Sequence, residues 1–340
     1  MTPLLNIMRA LADPTRLRIT LLIRQLELSV SEVVQILGQS QPRVSRHIRI
    51  LDEAGIAERR REGAWVFLRP GPRLTDGTLE PLFALPGTDD AKPVLRDIAQ
   101  LDAVRAARAA MAADYFSRHA EEWDSLRSLH IAETDVEAAL HQHLSKRPLG
   151  RVLDIGTGTG RMIELFADKA KQFVALDSSA EMLRLARAKL AGLPNAATIQ
   201  AHTDIVLGDF NQLPFANAAF DTILFHQVLH YAQTPDHVLG EAARVLAPGG
   251  RLIIVDFASH DFEELRSIHA HARLGFADDM MARTLAANGL ALDSIETLAG
   301  GKLAVKIWIG ARPVITTAPQ LSAESTEIHP AVAPEQRNVP

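Results

Sequence analysis

Cysteine is absent from all 340 residues. Without a thiol there is no disulfide, no thiolate metal site, no cysteine nucleophile and no thiol redox sensor. Long apolar runs are absent as well. Nothing approaches the roughly 18 residues of a membrane-crossing helix, and no basic-then-apolar leader ends in a small-residue cleavage site. These absences predict a cytoplasmic protein with no membrane partner. Sharp metal-ligand spacings such as HExxH are missing too. The nearest approach is His260, His269 and His271 with Asp256 and Asp261, but His269 and His271 stand two apart and would diverge on a helix. No metal is expected.

What is present suits two domains. A hydrophobic share of 47% over this length fills one medium core and a smaller one. The overall charge of −5 is uneven: residues 1–73 hold twelve Arg against seven Asp or Glu, a net +5, so the remainder carries −10. The basic end suits a phosphate backbone, which would repel the acidic remainder. Double-stranded DNA, if bound, belongs to the N-terminal part.

That part reads as helices. Asp13 is placed to cap a helix opening at Pro14, with Leu17, Leu21 and Leu22 near helical spacing. Ser29 and Glu32 form a capping-box pattern ahead of Val30, Val33, Val34 and Leu37, and Gly38 stops that helix. A third helix from Ser40 turns Val44, Ile48 and Leu51 inward and leaves Gln41, Arg43, Arg46 and His47 mostly outward until Gly55. The spacing predicts helix, tight turn, helix. Residues 56–70 then read as a two-stranded wing turning at Gly63, with Arg59, Arg60 and Arg61 leading to its tip. A Pro/Gly-marked linker with a short helix over 79–85 follows, and residues 94–146 predict several helices interrupted near 116–119 and Ile131.

From Gly150 the period changes. Strand-like runs at 151–155, 172–176, 222–225 and 252–256 alternate with helical patterns at 161–168, 180–191 and 235–246, which predicts a parallel sheet with crossover helices. Residues 303–309 read as an edge strand. The expected domains are 1–75 (winged helix-turn-helix), 76–149 (linker and helical dimerisation or lid region), 150–312 (α/β) and a disordered tail, 313–340.

In LDIGTGTGR, Leu153 to Arg161, a buried strand ends in Gly156, Gly158 and Gly160 just before a helix. Missing side chains let a ligand approach backbone N–H groups there, and the helix start adds partial positive charge. Asp177 ends the next strand and suits ribose hydroxyls, which NAD and S-adenosylmethionine share. Asp209, placed for an adenine amine, and the apolar run Leu213 to Phe215 discriminate. Over residues 151–310 the pattern resembles class I S-adenosylmethionine-dependent methyltransferases. The resemblance implies a Rossmann-like seven-stranded sheet. It makes Asp154 and Gly156 cofactor-strand residues, Asp177 the ribose ligand and Asp209 the adenine contact, with residues 244–250 forming the turn before the fifth strand. Thr157, Gly158, Gly160, Ser178, Met182, Phe210 and His226 complete the expected site for S-adenosylmethionine or S-adenosylhomocysteine. His226, at a strand end, is a candidate base or cofactor contact with a packing role as the alternative; His230 reads as structural. Residues 266–276, and Phe116, His119 and Trp123, are candidate covers of an acceptor site.

Residues 4–70, including LADPTRLRITLLI and the wing, resemble ArsR-type winged-helix repressors. That resemblance places residues 40–54 in a major groove, presenting Gln41, Arg43, Ser45, Arg46 and His47, with Arg60 and Arg61 as wing contacts. It also implies a homodimer, for which Leu4, Ile7, Met8, Leu11, Leu79, Leu82, Phe83 and Leu85 offer an apolar seam. The cysteine pair of many metal-sensing members is missing around Val30 to Val34. Three functions are compatible with the pairing: a DNA-binding regulator modulated by the methyl donor or its product, an active small-molecule methyltransferase with an autoregulatory DNA-binding domain, and a non-catalytic partner-binding remnant. DNA as acceptor is disfavoured, because HQVLHY stands where an NPPY or DPPY motif is needed.

Overall fold

The computed structural model describes residues 3–62, 65–83, 92–124, 133–299 and 303–314. Helices α1 (Pro3–Leu11), α2 (Pro14–Gln25), α3 (Val30–Leu37) and α4 (Gln41–Glu53) open the chain, with the short strand β1 (Leu28–Ser29) ahead of α3. Their boundaries follow from the caps. Asp13 Oδ1 accepts from Thr15 N and Arg16 N, Ser29 and Glu32 close a reciprocal capping box, and Gly38 ends α3 at φ 63°. Strands β2 (Ala57–Glu62) and β3 (Trp65–Pro70) pair antiparallel as the wing, and β1 adds to the far side of β3. The expected turn at Gly63 lies outside the described residues.

This core does not stop at residue 75. After α5 (Pro72–Thr75) and α6 (Glu80–Phe83), the 28-residue helix α7 (Lys92–His119) lays Val94 and Leu101 among Ile19, Leu22, Val33 and Leu68. Asp97, buried on α7, receives two bonds of 2.6 Å from Arg18. Arg108 reaches Glu32 at 2.6 Å, so the carboxylate that caps α3 also holds α7. Three residues of the expected dimer seam, Ile7, Leu79 and Phe83, are buried internally, whereas Leu4 and Met8 of that seam, and Leu5 beside them on α1, are exposed. Leu85 and Ile131 lie outside the described residues, as does the tail beyond residue 314. The interruption expected near residues 116–119 falls after His119, at the 3-10 turn Ala120–Glu122.

The second unit is a seven-stranded sheet, order β6-β5-β4-β7-β8-β10-β9, formed by β4 (Arg151–Ile155), β5 (Gln172–Asp177), β6 (Thr203–Leu207), β7 (Phe220–His226), β8 (Leu246–Phe257), β9 (Ala291–Ala299) and β10 (Ala304–Ala311). Strands β4 to β8 run parallel, and only β10 is antiparallel to its neighbours. Alternate residues supply two cores. Val152, Phe173 and Val255 face the helices Glu133–Leu144 and Arg161–Phe166, while Leu153, Phe225 and Ile254 face Pro235–Val245 and Asp278–Ala287. One expectation is corrected: the strand read over 303–309 is interior, inserted between β8 and β9, and the edges are β9 and β6. Neither edge strand is evident in sequence, because each is half-solvated and carries charge at Asp293, Glu296 or Asp204.

Candidate functional site

The carboxyl ends of β4, β5, β6 and β7 open into a cleft of about 2130 Å³. Strand order reverses between β4 and β7, the crevice where open α/β sheets hold ligands. Gly156, Gly158 and Gly160 follow β4 at φ 72°, 55° and 87°. A Cβ on Gly156 would stand 2.2 Å from Val228 Cγ2. Gly160 does not line the cleft; it lets the helix Arg161–Phe166 pack against Ala186, 3.0 Å from where a Cβ would be. Gly158 N donates to Asp177 Oδ2 and Ser179 N to Asp177 Oδ1, both at 2.9 Å.

Asp154, Thr157, Ser178, Met182, Asp209, Phe210 and His226 also line this cleft. Ser178 and Asp209 are exposed, and Asp209 is preset by Asn211 N and Nδ2 at 2.8 Å. The residues fit a nucleoside with a ribose. Thr157 Oγ1 is buried at the cleft with no partner among the described residues, the glycine loop leaves room for backbone approach, and Asp177 offers further lone pairs. Burial raises the Asp177 carboxyl above its ordinary value, against the backbone N–H groups of Ser179, Gly158 and Ser178. A ribose whose hydroxyls donated to this carboxylate would oppose that rise, so its binding would release protons and weaken as pH falls through the raised value. Asp177→Ala is expected to cost about 1–3 kcal/mol of S-adenosylhomocysteine affinity and to flatten this pH dependence in calorimetric titrations. Unchanged affinity would remove Asp177 from the site.

Aromatic rings close the cleft on the side of α7. Phe116 meets Tyr231 at 4.7 Å and Trp123 at 5.4 Å, and the Trp123 indole nitrogen lies 3.3 Å from the position of a Gly158 Cβ. Tyr115 bonds His269 Nδ1 at 2.7 Å. Beneath Tyr231, one turn beyond β7, the fully buried Asp256 of β8 accepts from His230 N at 3.1 Å and pairs with His230 Nδ1 at 2.7 Å.

On the other unit, Gln41, Arg43 and Arg46 are exposed on α4 and Ser45 is half-buried. His47 turns inward rather than outward, its Nδ1 3.7 Å from Asp13 Oδ1. Burial, aided by Arg16, Arg43 and Arg46, lowers its pKa against the pull of Asp13. Arg61 is exposed on the wing. Arg60 is not: its guanidinium lies between Glu27 and Glu62, 2.9 Å from each.

The family description "Bacterial regulatory protein, arsR family" matches residues 13–59, and "Methyltransferase domain" matches residues 153–254. The chain joins an arsR-family regulatory domain to a class I methyltransferase domain. Similar proteins include a demethylmenaquinone methyltransferase of Renibacterium salmoninarum, 33% identical over 36% of this chain and 47% of that protein. A malonyl-[acyl-carrier protein] O-methyltransferase of Pseudescherichia vulneris is 30% identical over 51% of this chain and 66% of that protein. The chain thus spans about half to two thirds of the length of these curated relatives. Among solved structures, the 1,6-didemethyltoxoflavin-N1-methyltransferase of Burkholderia thailandensis is 23% identical, with a TM-score of 0.48 over 60% of this chain and 88% of that one.

The arsR-type and methyltransferase domains meet through buried ions that sequence reading missed. Glu27, between α2 and β1, pairs with Arg60 of the wing and with Arg273 of the methyltransferase domain. Glu62 of the wing pairs with Arg266 at 2.8 Å and accepts from Leu274 N. Arg273 in turn grips the loop after β7: its backbone N donates to His230 O at 2.9 Å and its Nη2 to Gln233 O at 2.8 Å. Partners more than 200 residues apart in sequence carry no local signal of such pairing; the available hint was a charged residue at Glu27 amid an apolar stretch. No helix among the described residues is long and apolar enough to cross a membrane.

Proposed function

We propose that the chain is a dimeric DNA-binding regulator whose methyltransferase domain binds S-adenosylmethionine or S-adenosylhomocysteine and thereby biases DNA binding. The observation that carries this reading is α7, one helix shared by two sites. Its first half belongs to the core of the arsR-type domain, and its last turn supplies Phe116 to the wall of the donor cleft. Glu27 and Arg273 form a second route, from the wing base to the loop carrying His230. Arg60 is committed to Glu27 and Glu62, so its use on a DNA backbone requires that cluster to open, which frees Arg273 as well. A ligand acts through these routes only by favouring one arrangement over the other. On the DNA side, Gln41, Arg43, Ser45, Arg46 and Arg61 are the proposed contacts, and the exposed Leu4, Leu5 and Met8 the proposed start of the dimer seam.

The test is the affinity of the full chain for an operator selected from random duplexes, measured with and without each nucleoside over a salt series. A shift of about fivefold or more is expected, the lower end of ordinary coupling. Identical affinities at every salt concentration with both nucleosides would defeat the proposal. A second reading, in which the donor is consumed to methylate a small molecule, is favoured by the intact donor set and by the His230–Asp256 pair beside it.

A further inference from the structure

The three rings that close the cleft beside α7 form one cluster. Phe116 lies 4.7 Å from Tyr231 and 5.4 Å from Trp123, and Trp123 lies 6.3 Å from Tyr231. All three line the cleft and are half-buried. Their planes are tilted 47° to 74° from one another, so they do not present their positive edges together. With these spacings, a cation up to about 5 Å above the triangle of ring centres stands within about 6 Å of every centre, the reach of a cation–π attraction. Elsewhere in the chain, side-chain cations lie over Phe67, Phe83 and Phe166; among the described residues none lies over these three. Burial, with Tyr115 and Asp256, raises the Tyr231 phenol well above its ordinary value, so that ring stays neutral.

Strand order says which part of a nucleoside stands opposite them. In the proposed donor site the adenine lies at Asp209, beyond β6, and the ribose at Asp177, the end of β5, so the remainder of the molecule runs on over β4 and β7. One strand spacing of about 4.8 Å separates the ribose position from the end of β4. There the Trp123 indole nitrogen lies 3.3 Å from the position of a Gly158 Cβ, and Tyr231 follows β7. The atom borne by the ribose at that distance is sulfur, a cationic sulfonium in S-adenosylmethionine and a neutral thioether in S-adenosylhomocysteine. We propose that Phe116, Trp123 and Tyr231 form a cation subsite for the sulfonium, which makes the cleft selective for the methyl donor over its demethylated product. The inference rests on the donor site proposed above. A thioether keeps its packing against the rings but has no charge for them to attract. The carboxylates of Asp154 and Asp177 attract the same charge, so the share of the rings is read by altering rings and leaving every charge in place. Phe116 stands on α7, the helix shared with the DNA-binding core, and the donor rather than the product is thereby the ligand that the regulatory arrangement responds to.

The test is calorimetric titration of the full chain with S-adenosylmethionine, S-adenosylhomocysteine and sinefungin, in which a carbon bearing a protonated amine replaces the methylsulfonium. The readout is the ratio of the product's dissociation constant to the donor's. Phe116→Leu and Trp123→Leu, which remove a ring without altering charge, should each lower that ratio roughly threefold or more, the scale of one cation–π contact, and lower the preference for sinefungin with it. Phe116→Tyr should retain both preferences. Chain made with 5-fluorotryptophan keeps the indole shape but draws electron density from the ring; its ratio should fall too, and fluorination should have no effect in Trp123→Phe. That comparison holds whether or not the Leu variants fold well. Equal loss of affinity for all three ligands in the Leu variants would show that the rings only pack, and would overturn the proposal. So would a ratio that fluorination leaves unmoved, or one that it moves equally in Trp123→Phe. If the unaltered chain binds none of the three, the donor site itself falls and the subsite with it.

Discussion

Glu27→Ala is expected to destabilise the protein by about 3–5 kcal/mol, because it leaves two guanidiniums facing a buried site that no longer holds a negative charge. Glu27 is almost wholly enclosed, and Arg273, its partner across the domains, is 8% exposed. Replacing only the charge, with Glu27→Gln, keeps the shape and should lose nearly as much. Chemical denaturation read by two probes, the tryptophans and helix content, is the measurement; with two domains the transitions need not coincide. A change within about 0.5 kcal/mol, the range of ordinary surface substitutions, would show that the cluster opens freely. The same ions set an acid limit. Burial would raise the Glu27 carboxyl, but Arg273 and Arg60 hold it below the ordinary Glu value of 4.5; Glu62 is likewise raised by burial and lowered further by Arg60, Leu274 N and Arg266. A carboxylate with a depressed folded pKa contributes stability above its unfolded value and loses it as pH falls through the folded one. Acid melting should therefore begin below about pH 4.5, and the Ala variant should lose much of that dependence.

Gly156→Ala is expected to cost about 2–4 kcal/mol and to reduce nucleoside binding in parallel. Two penalties combine: φ of 72°, which a side chain tolerates poorly, and a new methyl 2.2 Å from Val228 Cγ2 and 2.8 Å from its Cβ. Val228 sits in the loop between His226 and His230, so relief of the overlap displaces the loop that carries both. Gly192 gives the contrast, since nothing lies within 4 Å of its added Cβ, and Gly192→Ala should leave the melting temperature and binding nearly unchanged. Equal behaviour of the two variants would show that the close approach at Gly156 is not needed.

Local chemistry made much of this molecule readable. Asp13, the Ser29–Glu32 box and Gly38 mark helix ends through bonds within a few residues, and alternating apolar runs mark interior strands. The glycine loop was legible for the same reason, since the loop and strand-end residues that meet at the cleft each belong to one βα unit. What stayed hidden depends on distant partners. His230 pairs with the buried Asp256, 26 residues later, a contact that no local pattern signals. His47 faces outward on a helical wheel, and only the position of Asp13 turns it in. Arg60 reads as a wing cation because Glu27, 33 residues earlier, becomes its neighbour only after folding.

The uninterrupted run of α7 between the two cores also sets a rule of phase. At 1.5 Å rise and about 100° per residue, its 28 residues span roughly 42 Å, and each position fixes the angular bearing of every later one. Moving the junction by one residue swings Tyr115 and Phe116 by about 100° relative to Val94 and Leu101, away from Tyr231 and His269. Seven residues, close to two full turns, restore the bearing but lengthen the spacing by about 10 Å. The domains are thus joined less like beads on a tether than like two wheels keyed to one shaft, where the count of residues between them is itself a structural parameter.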